Sequence, residues 1–172
     1  NVLHIFLRDF PVIALTEGGF QHVLDDPTVQ DAEAVRRLVL CSGKIYYDIQ
    51  GHARRPEASA TAIARQELLY PFPVEALGKL LERYPNLTDV VWAQEEPQNN
   101  GSWFFVEPFI EACLAEAKVR PARARYAGRK ASASPATGLM KRHQSEQAAL
   151  IAHALGHGVR DEIRRQRTTK KK

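Results

Sequence analysis

Chemistry needs polar side chains gathered at one place, and three stretches of this 172-residue chain collect them. "VVWAQEEPQNNGSWFF" (residues 90–105) sets two adjacent carboxylates, Glu95 and Glu96, between apolar runs that each carry a tryptophan. Gln98, Asn99, Asn100 and Trp103 follow them closely. "CSGK" places Lys44 just after an apolar run, where the amides of a strand-to-helix turn can hold an anion. "RYAGRKASASPATG" combines Arg125, Arg129 and Lys130 with serines and small residues.

These patterns support different chemistries. Neighbouring side chains on an extended backbone point to opposite sides, whereas a general acid and base must face one substrate. Glu95 and Glu96 therefore read as a polar strand end meeting solvent or a partner surface, with no histidine, cysteine or lysine nearby to complete a catalytic set. "CSGK" lacks the spacing of a phosphate-binding P-loop and reads first as a tight turn with a surface lysine. The "RYAGRKASASPATG" segment fits either a phosphate cradle or a close-packed loop that needs small side chains.

Six histidines, at 4, 22, 52, 143, 153 and 157, form no metal-ligand pattern. His153 and His157 are four apart, but Gly156 and Gly158 end the helix there and no third ligand follows. No nucleophile elbow, zinc-protease helix or dinucleotide-binding glycine motif is present. The sequence thus offers no catalytic residue and no metal site.

The elements that would position these residues alternate. Residues 35–41 are β-branched and apolar and end at Ser42-Gly43; "KIYYDIQGHARR" follows with helical spacing. A second strand is expected at 60–68, closed by the rigid "YPFP" turn. Pro73 suits the first turn of a helix whose apolar positions are Val74, Leu77, Leu80, Leu81 and Tyr84. "LTDVVWAQ" is a third strand; Ser102 suits the N-cap of the next helix, in which Pro108 predicts a kink or a late start. A fourth strand is expected at 122–128, a loop at 129–138 and a closing amphipathic helix at 139–155. "GGFQHVL" is a candidate edge strand. Strands and helices alternating at this spacing predict a mostly parallel sheet covered on both faces. Function in such sheets gathers at the carboxyl ends of the strands, which is where residues 42–44, 70–73, 95–101 and 129–138 fall.

Composition narrows the class further. No apolar run approaches the roughly 20 residues that span a bilayer, and Arg8 and Asp9 interrupt the apolar start, so neither a membrane partner nor a signal segment is expected. The formal charge is +4, but the last twelve residues hold six of the 24 Lys+Arg and two of the 20 Asp+Glu, so residues 1–160 carry 18 of each. The basic stretch reads as a solvated tail at 158–172, and no nucleic-acid partner is expected. Cys41 and Cys113 sit in apolar surroundings and read as reduced, buried thiols of a cytoplasmic protein.

Taken together, "LVLCSGKIYYD", "LLYPFP", "VVWAQEEPQNNGSW" and "RYAGRKASASPATG" followed by "HQSEQ" resemble one family, from about Thr16 to about Leu155. It is the C-terminal domain of the first, thiamine diphosphate-dependent component of 2-oxoglutarate dehydrogenase. Where that family usually has R-I-E-Q-L-Y-P-F-P, this chain keeps Arg65, Glu67 and the aromatic-proline turn but carries Gln66 and Leu68. Both ends depart from the pattern: residues 1–15 do not look like the usual segment before "TEGGF", and "GHGVRDEIRRQRTTKKK" continues past the closing helix.

The resemblance implies a transketolase C-terminal-like domain at 16–157: three α/β/α layers on a five-stranded sheet, mostly parallel, with an antiparallel edge strand suited to residues 19–24. It implies a structural and dimerisation role. Glu95, Glu96, Gln98, Asn99, Asn100 and Trp103 would form a junction loop facing upstream domains of the same enzyme and the homodimer mate. Thiamine diphosphate and magnesium would belong to the full-length enzyme and not to this chain, which alone is expected to be inactive. The whole enzyme would decarboxylate 2-oxoglutarate and pass the succinyl group to its dihydrolipoyl succinyltransferase partner. The alternative is a stand-alone regulatory module that binds an anionic nucleotide through Lys44, Arg65 or Arg129.

Overall fold

The computed structural model describes residues 19–157. The atypical amino-terminal segment expected at 1–15 and the basic tail expected at 158–172 lie outside the described residues.

Five strands form one sheet: β1 (Val23–Leu24), β2 (Arg37–Cys41), β3 (Thr61–Gln66), β4 (Asp89–Pro97) and β5 (Arg125–Arg129). Their spatial order is β1-β3-β2-β4-β5, with β1 antiparallel to β3 and every other pairing parallel. The antiparallel edge strand is shorter than residues 19–24, since only Val23 and Leu24 pair, with Gln66 and Arg65.

The helices are α1 (Ile45–Gln50), α2 (Val74–Arg83), α3 (Trp103–Glu116) and α4 (Met140–Ala154). Leu38, Leu40, Val90 and Trp92 on one face of the sheet pack against Leu77 and Leu81 of α2 and Val106 and Ile110 of α3. Val39, Ile63, Val91 and Ala127 on the other face pack against Ile45 and Ile49 of α1 and Leu150 and Ile151 of α4. Successive strand residues alternate between two buried faces, which is why the parallel strands read as continuous apolar runs. The result is the three-layer α/β/α arrangement expected from the sequence.

Several boundaries differ from the sequence expectation. The first helix ends at Gln50, because Gly51 caps it and the chain turns into a short 3-10 segment at Arg55–Glu57. Helix α3 starts at Trp103 and runs through Pro108 without a late start. Pro108 has no N–H to give the carbonyl of Phe104, and Phe104 is exposed, so that carbonyl lies on the wet side of the helix. β4 continues past Gln94 to Pro97, which pairs with Arg129 after a register shift. Glu95 and Glu96 are therefore the end of a strand, and the connecting loop begins at Gln98.

Two ionic pins fix the frame, the first buried and the second half-buried. The Asp26 carboxylate is fully buried and accepts from the Ile63 amide, the Thr28 amide and the Arg55 guanidinium, each at 2.9 Å. It ties the β1–β2 connection to β3. Arg37, at the start of β2, pairs with Asp89 at 2.7 Å and donates to the carbonyls of His153 and Ala154 at 3.0 and 3.2 Å. A cation thus sits at the carboxyl terminus of α4, where helix carbonyls have no helical partner.

Candidate functional site

The chain leaves β2 toward α1 on one face of the sheet and leaves β4 toward α3 on the other. Such a divergence opens a crevice between the strand ends, the usual ligand position in an open α/β sheet. In this chain its own side chains cross the crevice. Lys44 donates to Asp48 and lies 3.8 Å from Glu95. Gln147, reaching in from α4, donates to Asp48 Oδ2 at 3.0 Å and to Glu95 Oε1 at 2.9 Å. Its own carbonyl accepts from Arg129 at 3.2 Å, and Arg129 also meets His143 Nδ1 at 2.9 Å. The hydrogen bond to Asp48 pushes the Lys44 ammonium pKa up, keeping it charged. Alternating cations, carboxylates and amides hold one another, so this edge is a crosslink between α1, β4, β5 and α4.

The segment of residues 94–103 turns on Gln94, a residue that sequence reasoning passed over. Gln94 is 4% exposed. Its carbonyl accepts from the Trp92 indole at 2.9 Å and from the Trp103 amide at 3.1 Å. Its amide donates to the carbonyls of Glu96 and Pro97 at 3.3 and 3.2 Å. One side chain therefore satisfies a buried indole, caps α3 and holds the turn after β4. Ser102, expected as the cap, makes no side-chain cap bond. Gly101 is required beside it, because a Cβ there would stand 2.2 Å from Gln94 Nε2.

The other candidate residues fall around this hub. Glu96 is exposed, while its carbonyl accepts from Gln94 and from the Tyr126 hydroxyl. The Gln98 amide bonds the Arg129 carbonyl at 3.1 Å, and Asn99 and Asn100 both donate to the Ser132 carbonyl. Trp103 is buried and packs 5.5 Å from Tyr126. Tyr126 donates to the Arg129 carbonyl at 2.9 Å, and burial pushes its phenol up to about 12. Gly128 follows from that hydroxyl, since a Cβ there would lie 2.1 Å from it.

Of the three basic candidates, the structure joins Lys44 and Arg129 through Glu95 and Gln147. Arg65 makes its contacts elsewhere: its guanidinium lies 4.5 Å from the Tyr46 ring centre, donates to the Tyr47 hydroxyl at 2.8 Å and faces Glu67 at 3.5 Å. Among the described residues no three His, Cys, Asp or Glu side chains converge. Cys41 and Cys113 are free and buried, and burial pushes both thiols up, which keeps them protonated.

Two features were not found from the sequence. Tyr70, Phe72, Phe105 and Phe109 form a run of ring contacts at 6.3, 5.3 and 4.9 Å along the YPFP turn and α3. Tyr70, Phe104, Phe105 and Phe109 are 80, 60, 40 and 39% exposed. The turn includes a cis Tyr70–Pro71 bond. Phe104, Phe105 and Phe109 put three outward aromatics on the first two turns of α3, and this was the available signal. The second feature is a cavity of about 690 Å³ between the end of β5, the loop after it and α4.

Comparison with known proteins agrees with this architecture. The family described as "2-oxoglutarate dehydrogenase C-terminal" matches residues 12–155. The 2-oxoglutarate dehydrogenase E1 component of Cupriavidus necator is 43% identical over 144 residues, 84% of this chain and 15% of that protein. Those of Brucella anthropi and Brucella ovis are 45% identical over 129 and 128 residues, 75% and 74% of this chain, and 13% of each relative. The chain thus corresponds to a small carboxyl-terminal share of these much longer proteins. It belongs to the 2-oxoglutarate dehydrogenase C-terminal family.

Proposed function

We propose that this chain is an assembly domain of a 2-oxoglutarate dehydrogenase E1 component. It packs against the upstream domains of that enzyme and its twofold mate, and supplies neither catalytic group nor cofactor ligand. The carrying observation is the exposed aromatic run Tyr70–Phe105–Phe109 with Phe104 beside it. Clustered exposed rings of this kind mark a surface meant to be covered. The relatives are E1 components several times longer than this chain, and the covering partner in this proposal is the remainder of such a polypeptide. The crevice at the strand ends is spanned internally by Lys44, Asp48, Glu95, Arg129 and Gln147, which agrees with a role in holding rather than reacting.

In this reading the whole enzyme, in the cytoplasm, uses thiamine diphosphate and magnesium bound by other domains to decarboxylate 2-oxoglutarate. It then passes the succinyl group to the lipoyl arm of a dihydrolipoyl succinyltransferase. The test has two arms. Sedimentation of the isolated chain should show concentration-dependent self-association that Phe105→Ser with Phe109→Ser abolishes while the circular dichroism spectrum is kept. Calorimetry with thiamine diphosphate and magnesium should give no heat of binding. Micromolar cofactor binding, or an association that ignores both substitutions, would overturn the proposal.

A further inference from the structure

The aromatic flank is bordered by charge of one sign. Helix α3 carries Glu107, Glu111 and Glu116 and no lysine or arginine. Glu107 and Glu111 stand three and seven residues after the exposed Phe104, so the helical period sets them on its side. Glu116 stands seven residues after Phe109 and shares its stripe. Glu75 and Glu82 of α2 join Glu116 along the groove between the two helices, against the single cation of Lys79. None of these five carboxylates has an ion-pair partner among the described residues. Two copies meeting ring to ring about a twofold axis would set these carboxylates against their own images, and like charges face to face weaken a contact. The rings therefore call for a surface that is both apolar and basic.

The same chain carries such a surface. Residues 117–145 hold eight Lys+Arg and no Asp or Glu, so the carboxylates of α3 would meet no charge of their own sign there. Leu139 and Met140, where α4 begins, are 72 and 70% exposed, and the exposed Lys141 and Arg142 follow directly. Lys130 is exposed in the preceding loop, and neither it nor Lys141 has an ion-pair partner among the described residues. An unbranched methionine packs well against aromatic edges, and lysine and arginine are attracted to ring faces. The two surfaces thus match twice, rings with aliphatic side chains and carboxylates with cations. They cannot meet within one copy, because α3 and α4 cover opposite faces of the sheet.

We infer that the aromatic, acidic flank of α3 in one copy receives the basic corner at residues 139–142 of a second copy, and that two such contacts close a twofold pair. Leu139 and Met140 lie against Phe104 and Phe105, while Lys141 and Arg142 face Glu107 and Glu111. Closure follows from reciprocity: each copy owns both surfaces, so the first contact leaves a second complementary set to join. The inference rests on the assembly reading and assigns the twofold mate to the α3 side of the rings. The acidic border also turns away nucleic acid and anionic lipid.

Sedimentation of the full chain tests this contact. Raising salt from about 0.05 M to about 0.5 M should weaken the parental dimer severalfold, since exposed charge pairs are screened. Glu107→Lys with Glu111→Lys should weaken self-association by about tenfold or more, and so should Lys141→Glu with Arg142→Glu, because each sets like charges face to face. Mixing the two variants should restore a one-to-one pair close to parental strength, which also shows that both are folded. A mixture that stays monomeric, or assemblies that grow beyond the dimer, would overturn the proposal. Association that Phe105→Ser with Phe109→Ser abolishes but neither charge variant changes would overturn this contact and leave the assembly reading standing. A parental chain that never self-associates would overturn both.

Discussion

Two connections leave neighbouring strands at the same edge of the sheet and look alike in composition. The β4–α3 connection and the β5–α4 connection are both polar and rich in small residues, and Asn99 and Asn100 bond the Ser132 carbonyl across them. Their interiors differ. In the first, Gln94 spends its carbonyl on two donors and its amide on two acceptors. In the second, Arg129 Nε and the Thr137 hydroxyl stay buried with no hydrogen bond. Polar composition did not distinguish the two turns; the satisfaction of their buried groups does.

The largest effect should come from breaking the satisfied side. Gln94→Leu strands the Trp92 indole and the Trp103 amide, and should cost about 3 kcal/mol in urea denaturation of the chain. A loss under about 1 kcal/mol would mean that water replaces the amide and that the hub is dispensable. Gly101→Ala comes next, at about 2 kcal/mol, because the new methyl must displace a side chain held by four hydrogen bonds. Combined with Gln94→Leu its cost should be far from additive, since both act on one contact.

Smaller effects test the β5–α4 side. His153 lines the cavity, and burial, with Arg125 and Arg37 nearby, holds its pKa below the ordinary value of 6.5. The unfolded chain therefore takes up this proton first as pH falls, so the stability His153 confers is complete above pH 6.5 and declines below it. His153→Gln should flatten the dependence of the melting temperature on pH between about 7 and 5.5; an unchanged profile would assign that slope to other groups. The smallest expected change is Thr137→Val, within about 0.5 kcal/mol of the parent, because its hydroxyl gives up no hydrogen bond. A cost above about 1 kcal/mol would show that the hydroxyl is partnered after all, and the contrast between the two loops would collapse.

Much of the fold was legible because it rests on local chemistry. The apolar runs at Leu38–Leu40, Ile63 and Val90–Trp92 could be buried only between two helical layers, and Leu77, Leu80 and Leu81 mark the inner stripe of α2. Boundaries set by distant partners were less visible. Pro97 extends β4 because Arg129 of another strand receives it, and the pairing of β1 stops at Val23 because β3 ends at Gln66, beyond which the His22 carbonyl takes the amides of Glu67 and Leu68. The adjacent glutamates drew attention as charges, whereas the neutral Gln94 beside them organises the turn. Its signal was present: Trp92 and Gln94 share one face of a strand, which puts an amide next to a buried indole. The segment at 129–138 read equally as an anion cradle or a close-packed loop, and the cavity beside it depends on how residues 130–139 stand away from α4.

The sheet's borders carry a consequence for how copies of this domain can meet. One border, among the described residues, is a two-residue strand; the other is the five-residue β5, opened and closed by Arg125 and Arg129. Lengthening a sheet across a molecular boundary needs a long, flat row of unpaired amides and carbonyls, and neither border supplies one. Joining through backbone ladders, the route that leads to runaway fibres, is therefore poorly templated, and contact through side chains of α3 and the YPFP turn is left as the open path. A domain built this way can be sticky on one flank without being a seed for aggregation.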